Sequence, residues 1–505
     1  MQIEPSAEKF TARYEAGEPQ VVWTTLVADL ETPVSAFLKI AGSRPMSFLL
    51  ESVEGGAVRG RYSIIGLEPD MIFRIDGEQA PVNRTSQTNP AAFAPMGKPP
   101  LAALRAFIAE SRIALPETLP PMAAGVFGYL GYDVVRLIED LPSQAPDPIG
   151  IPHAMLIRPT LVVAFDAVED SLTVITPVRP QAGVTAKAAL ARAIERLSAV
   201  VDALDRPLDK SAADTHNGPL DVAPRSNTAP DEFKRMVLAA KEYIAAGDIF
   251  QVVLSQRFEA PFALPPFALY RALRRVNPSP YLFFLEFGAF AIAGSSPEPM
   301  VKVSDDTVTI RPIAGTRPRG TTPHEDAALE AELLADPKER AEHLMLLDLG
   351  RNDVGRVAKV GTVTVTDQFF IERYSHVMHI VSNVEGALRP DRDVLDALAA
   401  GFPAGTLSGA PKVRAMQIID ELEKEKRSLY GGCVGYFSAG ADMDTCIVLR
   451  TALVKDGIMY VQAGAGVVAD SDPEFEQQEC INKAKALFRA AEEAKRFASA
   501  AGRGQ

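Results

Sequence analysis

The chain lacks several features that would assign it to a class at once. Only three of its 505 residues are cysteines, at positions 433, 446 and 480, and their spacing fits neither a zinc site nor a disulfide framework. Its longest apolar runs, such as residues 161–165, are far too short to cross a bilayer. Residues 1–5 have neither the basic nor the apolar region of a signal peptide. We therefore expect a protein of the reducing cytoplasm.

Positive charge is also scarce. The chain has 52 Lys and Arg residues against 65 Asp and Glu residues, so its formal net charge is -13. This balance argues against a general nucleic-acid binder and against a basic membrane-surface protein. It is compatible with an anionic small substrate, because a pocket responds to its local charges and not to the total. We expect neither a nucleic acid nor a membrane as a partner.

The length and the pattern of the chain predict two domains of α+β class. A polar, proline-rich stretch at 205–230 interrupts the sequence and predicts a linker or long loop between domains 1–204 and 231–497. Many hairpin patterns and few βαβ units predict antiparallel β-sheets packed face to face with helices outside. Residues 79–100 are expected to form a loop. Predicted strands include 47–52, 61–66, 71–75, 250–258, 281–287 and 289–294, with hairpin turns near 169–170, 305–306 and 455–457.

Two distant glutamates are candidates for a shared metal site. Glu342 lies on a helix predicted to begin at Pro337, and Glu479 lies one helical turn before Lys483. Mg²⁺ is typically held by one or two protein carboxylates, with water and substrate oxygens completing its octahedron. Taken singly, each glutamate is more simply explained as a solvated surface residue, and Glu479 with Lys483 as a surface ion pair.

Other segments have the composition of an anion-binding site. Arg450 follows the apolar residues 446–449, so we expect its guanidinium to be partly buried and to need an internal or a ligand carboxylate. Residues 430–432 and 464–466 are rich in glycine and expose backbone amides, as does the turn at 312–320. Together with the two glutamates, these segments predict a site for a small molecule with several carboxylates, one of them held through a divalent cation.

Glutamine hydrolysis is not expected from this chain. Residues 431–435 fit the elbow of a glutaminase nucleophile around Cys433. That chemistry needs a histidine base, which in class I glutaminases lies downstream of the cysteine. All six histidines of this chain lie upstream of Cys433. We interpret Cys433 as a small buried strand residue.

Long sequence strings carry a resemblance to a known family. They are residues 247–256, 312–320, 341–353, 374–382 and 402–412. In this order they closely resemble the chorismate-utilising enzymes, and among them the anthranilate synthase component I family, over nearly the whole chain. The resemblance implies a four-layer α/β/β/α fold. It also implies conversion of chorismate and ammonia to anthranilate and pyruvate through 2-amino-2-deoxyisochorismate, the first step of tryptophan biosynthesis.

The resemblance also implies roles for individual residues. Glu298 would protonate the departing 4-hydroxyl, and His379, otherwise an ordinary core histidine, would assist loss of the C2 proton and of pyruvate. Glu342 and Glu479 would be ligands of Mg²⁺. The implied substrate contacts are Gly315, Thr316, Tyr430, Arg450, Gly464, Ala465, Gly466 and Lys483. A feedback site for L-tryptophan, mostly in the first domain, is implied at Ser52, Pro280, Tyr281 and Leu282.

Two positions discriminate between members of the family. Related aminodeoxychorismate synthases commonly carry a lysine nucleophile at the place of Ala314, and isochorismate and salicylate synthases carry a lysine that activates water at the place of Gln251. Both absences favour attack by ammonia. The alternatives are an aminodeoxychorismate synthase subunit of the type that lacks the lysine, and an inactive tryptophan-binding regulator. The resemblance further implies a separate glutamine amidotransferase subunit, in a heterotetramer of two large and two small subunits.

Overall fold

The protein is described by a computed structural model that covers residues 1–54, 58–141, 145–208, 224–374 and 377–498. Its α-helices are α1 (Ala7–Glu15), α2 (Pro33–Ile40), α3 (Pro100–Glu110), α4 (Ala186–Leu204), α5 (Pro230–Ala245), α6 (Pro266–Val276), α7 (Pro323–Ala335), α8 (Pro337–Gly355), α9 (Val394–Gly401), α10 (Lys412–Leu422) and α11 (Pro473–Glu493).

The strands of the described residues follow in chain order. They are β1 (Gln20–Val27), β2 (Ser47–Glu54), β3 (Val58–Ile75), β4 (Pro81–Asn83), β5 (Phe93–Pro95), β6 (Gly125–Leu130), β7 (Ala154–Asp166), β8 (Ser171–Val178), β9 (Arg225–Ser226), β10 (Gln251–Pro261), β11 (Tyr281–Glu286), β12 (Ala291–Ser296), β13 (Pro299–Ser304), β14 (Thr307–Ile310), β15 (Ile313–Pro318), β16 (Thr364–Arg373), β17 (Val377–Ala387), β18 (Gly409–Ala410), β19 (Cys433–Ser438), β20 (Met443–Ile447), β21 (Thr451–Lys455) and β22 (Ile458–Val467).

The strands pair antiparallel and continue from one half of the chain into the other. β2 pairs with β11, so that Ser52 lies opposite Tyr281. β6 pairs with β19, so that Leu130 lies opposite Cys433. β10 pairs with β22 along ten residues of each strand, from Val252↔Val467 to Pro261↔Ile458. The first two of these ladders fix the N-terminal half against the half that carries most of the candidate site residues, and the third lies within that second half.

Alternation along the strands builds the layers. Phe48 of β2 stacks on Phe127 of β6, with ring centroids 4.6 Å apart, although these two strands are not neighbours in a ladder. The next residue, Leu49, points to the opposite face and packs in the core formed with α1, α2, α4, α6 and α11. Successive side chains of a strand face opposite sides, so one face fills the space between sheets and the other meets helices. The predicted α+β class, with helices outside packed sheets, is confirmed.

Two local predictions were correct only in part. Residues 61–66 and 71–75 belong to the single long strand β3, which bends at a register shift between Pro69 and Met71. The shift lets the strand change direction without ending, because one extra residue increases the local bend and twist. Residues 79–100 are not simply a loop, since β4 and β5 form there and β4 extends the β3 ladder at Ile72↔Asn83.

Much of the predicted linker, residues 209–223, lies outside the described residues. The described end of the linker contains β9, which pairs with β10 at Phe258↔Ser226. The division into domains 1–204 and 231–497 stays a prediction. Within the part of the chain that the structure describes, no helix combines the length and the apolar character needed to span a membrane.

Candidate functional site

Glu298 lies immediately before β13 and is buried. Both of its carboxylate oxygens accept a hydrogen bond from the Thr406 hydroxyl, at 3.1 Å each. Burial raises the pKa of Glu298 to about 8, while the hydrogen bonds from Thr406 and the Ile313 backbone and the charge of Arg450 oppose this rise. A carboxyl group with this pKa holds its proton at neutral pH and is able to donate it.

His379 lies on β17, opposite Thr316 of β15. Its Nδ1 is 3.1 Å from the Gly315 carbonyl oxygen and 3.0 Å from Thr316 Oγ1. Because a carbonyl only accepts, Nδ1 carries the proton and Nε2 keeps its lone pair. Nε2 is buried and has no partner among the described residues. Burial lowers the pKa of His379 to about 4, so the ring is a neutral base at physiological pH.

Gly315 allows the backbone to reach His379. The β15–β17 register shifts between Ala314 and Thr316, and Gly315 has a φ of 78°. A Cβ atom at this position would lie 3.1 Å from a carboxylate oxygen of Glu339. A side chain at residue 315 would therefore be strained by its φ and crowded by its neighbours.

Arg450 lies between β20 and β21, with a φ of 49° that L-residues rarely adopt. Strand β20 ends at Ile447, so Arg450 lies outside it. Burial lowers the pKa of Arg450, and the proximity of Tyr374 and Glu298 opposes this shift. Among the described residues, Glu298 is the carboxyl group whose charge acts on this guanidinium. The ligand carboxylate predicted for Arg450 stays a prediction.

The two candidate metal ligands come close to each other. Asp336 caps α8, accepting hydrogen bonds from the first-turn amides, and so fixes the helix that carries Glu342. Glu342 accepts a hydrogen bond from Gln251 Nε2 at 3.2 Å. Burial raises the pKa of Glu342, and the negative charges of Glu339 and Glu479 raise it further. Glu342 and Glu479, far apart in sequence, therefore interact electrostatically across one site.

Glu479 and Lys483 lie one turn apart on α11, whose first turn is capped by Asp472. Lys483 Nζ is 2.6 Å from Glu479 Oε1 and donates to the Gly464 carbonyl oxygen at 3.0 Å. Glu479 and Lys483 therefore form the ion pair that the sequence predicted as the simpler role of these two residues. The same lysine also reaches the glycine-rich strand β22, which joins the pair to the other predicted substrate contacts.

The glycines of β22 permit close approach by two side chains. A Cβ at Gly464 would lie 2.9 Å from the Tyr430 hydroxyl, and a Cβ at Gly466 would lie 2.6 Å from Gln251 Nε2. Ala465 between them is fully buried and packs in an apolar cluster with residues of α5 and α10. Tyr430 is buried, with its ring 5.6 Å from the Arg427 guanidinium. The strand therefore brings Tyr430 and Gln251 against one narrow surface.

The donor set at Glu342 and Glu479 fits Mg²⁺ better than a closed metal site. Among the described residues no group of three or more His, Cys, Asp or Glu side chains is placed to hold a metal ion. A structural zinc site would need such a group. Two carboxylates whose charges repel each other suit a hard cation that takes its remaining oxygens from water and substrate.

The sequence interpretation missed Thr406. This residue lies in the short 3₁₀ turn Gly405–Leu407, inside the string 402–412 that carried the resemblance. It is 108 positions from Glu298, the carboxyl group that it contacts. A hydroxyl residue in a glycine-rich turn gives no local indication of so distant a partner, so only the fold identifies it.

A cavity lies where the feedback residues were predicted. Ser52, Pro280, Tyr281 and Leu282 all line one cavity of about 570 Å³. The Tyr281 hydroxyl is 3.4 Å from Asp444 Oδ1, and burial raises the pKa of Asp444 to about 6. The four residues meet because β2 and β11 are neighbours.

Comparison with known proteins identifies the family. Residues 49–489 match the model of the chorismate binding enzymes. The chain is 57% identical over 504 residues to anthranilate synthase component 1 of Cereibacter sphaeroides, covering 99% of this chain and 100% of the relative. It is 47% identical over 468 residues to anthranilate synthase component 1 of Pseudomonas putida, covering 92% and 93% of the two chains.

Solved structures agree with this assignment. Anthranilate synthase component I from Streptococcus pneumoniae superposes with a TM-score of 0.75 at 37% identity, covering 92% of this chain and 98% of that one. The menaquinone-specific isochorismate synthase of Escherichia coli, at a TM-score of 0.70 and 21% identity over 96% and 99% of the two chains, shows the same fold. The resemblance predicted from sequence is confirmed. The chain belongs to the family of chorismate binding enzymes.

Proposed function

We propose that this chain is the large, ammonia-using subunit of an anthranilate synthase. One observation carries the proposal. A carboxyl group that is protonated at neutral pH, Glu298, and an imidazole that is neutral with a free Nε2, His379, both lie near the Arg450 guanidinium. Such an arrangement supplies an acid, a base and a carboxylate anchor to one small anion. The high identity to anthranilate synthase relatives supports the same activity.

Chorismate would bind through its two carboxylates. Arg450 would hold the enolpyruvyl carboxylate by a bidentate ion pair, assisted by Tyr430 and the backbone of residues 464–466. The ring carboxylate would lie at the end of the site formed by Glu342, Glu479 and Lys483. Mg²⁺ bound to the two glutamates would supply positive charge that offsets the ring carboxylate.

The first step would remove the hydroxyl from C4 and add an amine at C2. Glu298 gives its proton to the hydroxyl oxygen as the C4–O bond breaks, so that water leaves rather than hydroxide. Ammonia forms a bond to C2 while the ring double bond shifts, and the new ammonium group then loses a proton. The products are 2-amino-2-deoxyisochorismate and water, and the carboxylate of Glu298 recovers its proton from solvent.

The second step would produce the aromatic ring. His379 Nε2 takes the proton from C2, and the electron pair of that C–H bond forms the last ring double bond. The C3–O bond breaks, and the side chain leaves as the enol of pyruvate once it is protonated. The Nδ1 hydrogen bond to Gly315 stabilises the imidazolium that forms transiently.

Two residues support ammonia as the nucleophile. Ala314 has no amine for a covalent intermediate. Gln251 donates from its amide nitrogen to Glu342, and a neutral amide is not a base that activates water. Both observations favour anthranilate over 4-amino or 2-hydroxy products.

The ammonia would come from a separate glutamine amidotransferase subunit. Burial raises the pKa of Cys433 to about 12, so its thiol is not a nucleophile near neutral pH. The relatives are named component 1, a name that supports a second component. The resemblance predicts two subunits of each kind, which the mass of the assembled complex would test.

L-Tryptophan would inhibit by binding in the 570 Å³ cavity. The volume lies within the usual range of small-molecule pockets. Asp444 and the hydroxyls of Ser52 and Tyr281 offer partners to an amino acid, and Leu282 and Phe283 offer apolar surface. The inhibitor would thus occupy a site distinct from that of chorismate.

A direct assay tests the proposed activity. We expect purified chain with Mg²⁺, chorismate and ammonium at alkaline pH to produce the fluorescence of anthranilate, and to produce none when glutamine replaces ammonium. Accumulation of a 4-amino product would instead favour an aminodeoxychorismate synthase. Absence of turnover in a preparation that binds tryptophan would favour the inactive regulator.

A further inference from the structure

The cavity assigned to the inhibitor and the candidate catalytic site share a wall. Pro297 and Pro299, which flank Glu298, both line the cavity, and so does Tyr374. The Glu298 carboxylate itself is bonded to Thr406, which is not among the lining residues of the cavity. A ligand in the cavity would therefore border the catalytic residues without touching the Glu298 carboxylate.

Tyr374 has contacts on both sides of this wall. Its ring is 5.5 Å from the His379 imidazole, centroid to centroid, with the planes tilted by 60°. It also interacts electrostatically with Arg450 and Glu298. Its hydroxyl donates to Glu372 Oε2 at 2.7 Å. One buried side chain thus touches the proposed base and the cavity wall together.

The partner of the Tyr374 hydroxyl belongs to the cavity. Glu372 lines it and also accepts a hydrogen bond from Arg311, another lining residue. In the ladder of β16 and β17, Glu372 is directly opposite His379. A change at Glu372 therefore reaches His379 by two routes, one through the Tyr374 side chain and one through the strand pair.

We propose that Tyr374 is the positioning residue that holds His379 in register and couples it to the cavity. The protein would have a second conformation, in which Arg311, Glu372 and Tyr374 are displaced together. An amino acid in the cavity would bind more tightly to this second conformation. His379 then loses its packing partner and its alignment. Such differential binding is what any inhibitor needs in order to shift a protein between two states. The coupling rests on the proposed inhibition by tryptophan, whereas the positioning of His379 does not.

The variant Tyr374→Phe tests the coupling because it keeps the ring and removes the hydroxyl. We expect its kcat with ammonia to fall by about threefold or less and its calorimetric Kd for L-tryptophan to change by less than about threefold. The tryptophan concentration for half inhibition should rise at least about tenfold, within the usual range of allosteric coupling. Tyr243→Phe is the matched control, since its hydroxyl also donates to a glutamate, Glu421, but does not line the cavity.

The variant Tyr374→Leu tests the positioning because it removes the ring. We expect kcat to fall by about tenfold or more with KM for chorismate changed less than about threefold, since His379 acts after binding. Thermal unfolding of each variant identifies loss of fold. Wild-type kcat in Tyr374→Leu, at an unchanged melting temperature, would overturn the positioning role.

Separate results would refute the coupling between the cavity and His379. Tyr374→Phe with wild-type inhibition would overturn it, and so would parallel loss of tryptophan binding and inhibition, which would make Tyr374 only a binding residue. A wild-type chain that makes anthranilate but is not inhibited by tryptophan would refute the proposed feedback, and the coupling with it. A wild-type chain without turnover would refute the proposed activity itself.

Discussion

The two ends of the candidate site are built on opposite principles. At one end, Glu298 and His379 are buried. Burial raises the pKa of Glu298 to about 8 and lowers the pKa of His379 to about 4, so both groups are neutral near pH 7. At the other end, Glu479 and Lys483 stay partly exposed, with side chains 34% and 48% accessible, and form an ion pair. Proton transfer needs groups that are neutral at the working pH, whereas ion binding needs groups that stay charged.

Burial acts at both ends, but its consequence differs with the neighbours. Glu298 meets the Thr406 hydroxyl and the single positive charge of Arg450, which do not outweigh burial, so it stays protonated. Glu342 is half-buried beside the negative charges of Glu339 and Glu479, and a divalent cation between two such carboxylates reverses their repulsion. The comparison predicts that variants at the charged end abolish ion binding, and that variants at the neutral end change proton transfer.

The largest effect is expected at the charged end, from Glu479→Gln. Removing one of two proposed ligands should remove the proposed cation. Because such a cation would contribute several kcal/mol to the reaction, kcat/KM with free ammonia should fall by about 10³- to 10⁴-fold. Calorimetric binding of L-tryptophan should persist, because its cavity does not include Glu479. Glu474→Gln is the control on the same helix, where the side chain is exposed and pairs with Lys234. Full turnover in Glu479→Gln would refute the metal assignment.

A smaller loss of activity is expected at the neutral end, from Glu298→Gln. The amide has no proton to donate, so kcat should fall by about 10²- to 10³-fold, within the range of a general acid. Glutamine should bind the Thr406 hydroxyl as well as the protonated acid does, and chorismate should still bind. A rate within tenfold of the wild type would remove Glu298 from the mechanism.

The same variant should stabilise the fold at alkaline pH. Because burial raises the folded-state pKa of Glu298 to about 8, above its ordinary value, the stability that the protonated group provides is complete below the ordinary pKa. It is lost as the pH rises through about 8, where the buried carboxylate ionises. Glutamine never ionises, so the melting temperatures of the two proteins should agree at pH 4 and differ at pH 9 in favour of the variant.

The local pattern of apolar and polar residues predicted the strands and helices well. It predicted poorly which strands pair with each other. The strand predicted at 47–52 and its partner predicted at 281–287 both exist, as β2 and β11. The pairing of these strands brings Ser52 and Tyr281 to one cavity, but the sequence of neither segment predicts it. Alternation of apolar and polar residues shows which residues face a core, and it does not show which strand lies alongside. The hairpin turns near 169–170, 305–306 and 455–457 were predictable, since aspartate or glycine residues mark each of them locally.

The candidate site shows the same division. Glu342 and Glu479 were candidates from the residues alone, whereas Glu298 was identified only through the resemblance to a family. The chemistry of all three depends on neighbours that are distant in sequence. Thr406 acts on a carboxyl group in another segment, and Tyr374 joins two sites through a ring and a hydroxyl. Burial creates the shifted pKa values of Glu298 and His379, and burial is a property of the completed fold.

The smallest effect in this comparison is expected from Thr406→Val, which keeps the shape of the side chain and removes its hydroxyl. The hydroxyl donates to both oxygens of Glu298 and lowers the pKa of that group, so its loss should raise the pKa above about 8. With free ammonia held constant at each pH, the alkaline limb of the kcat profile should move to higher pH while kcat near pH 7 falls about tenfold or less. Ser408→Ala is the control, because its hydroxyl lies in the same segment but donates to the Ala404 carbonyl oxygen. If the alkaline limb of the kcat profile moved to lower pH, Thr406 would instead stabilise the protonated form of Glu298. The raised pKa of Glu298 would then be due to its hydrogen bond with Thr406 rather than to burial.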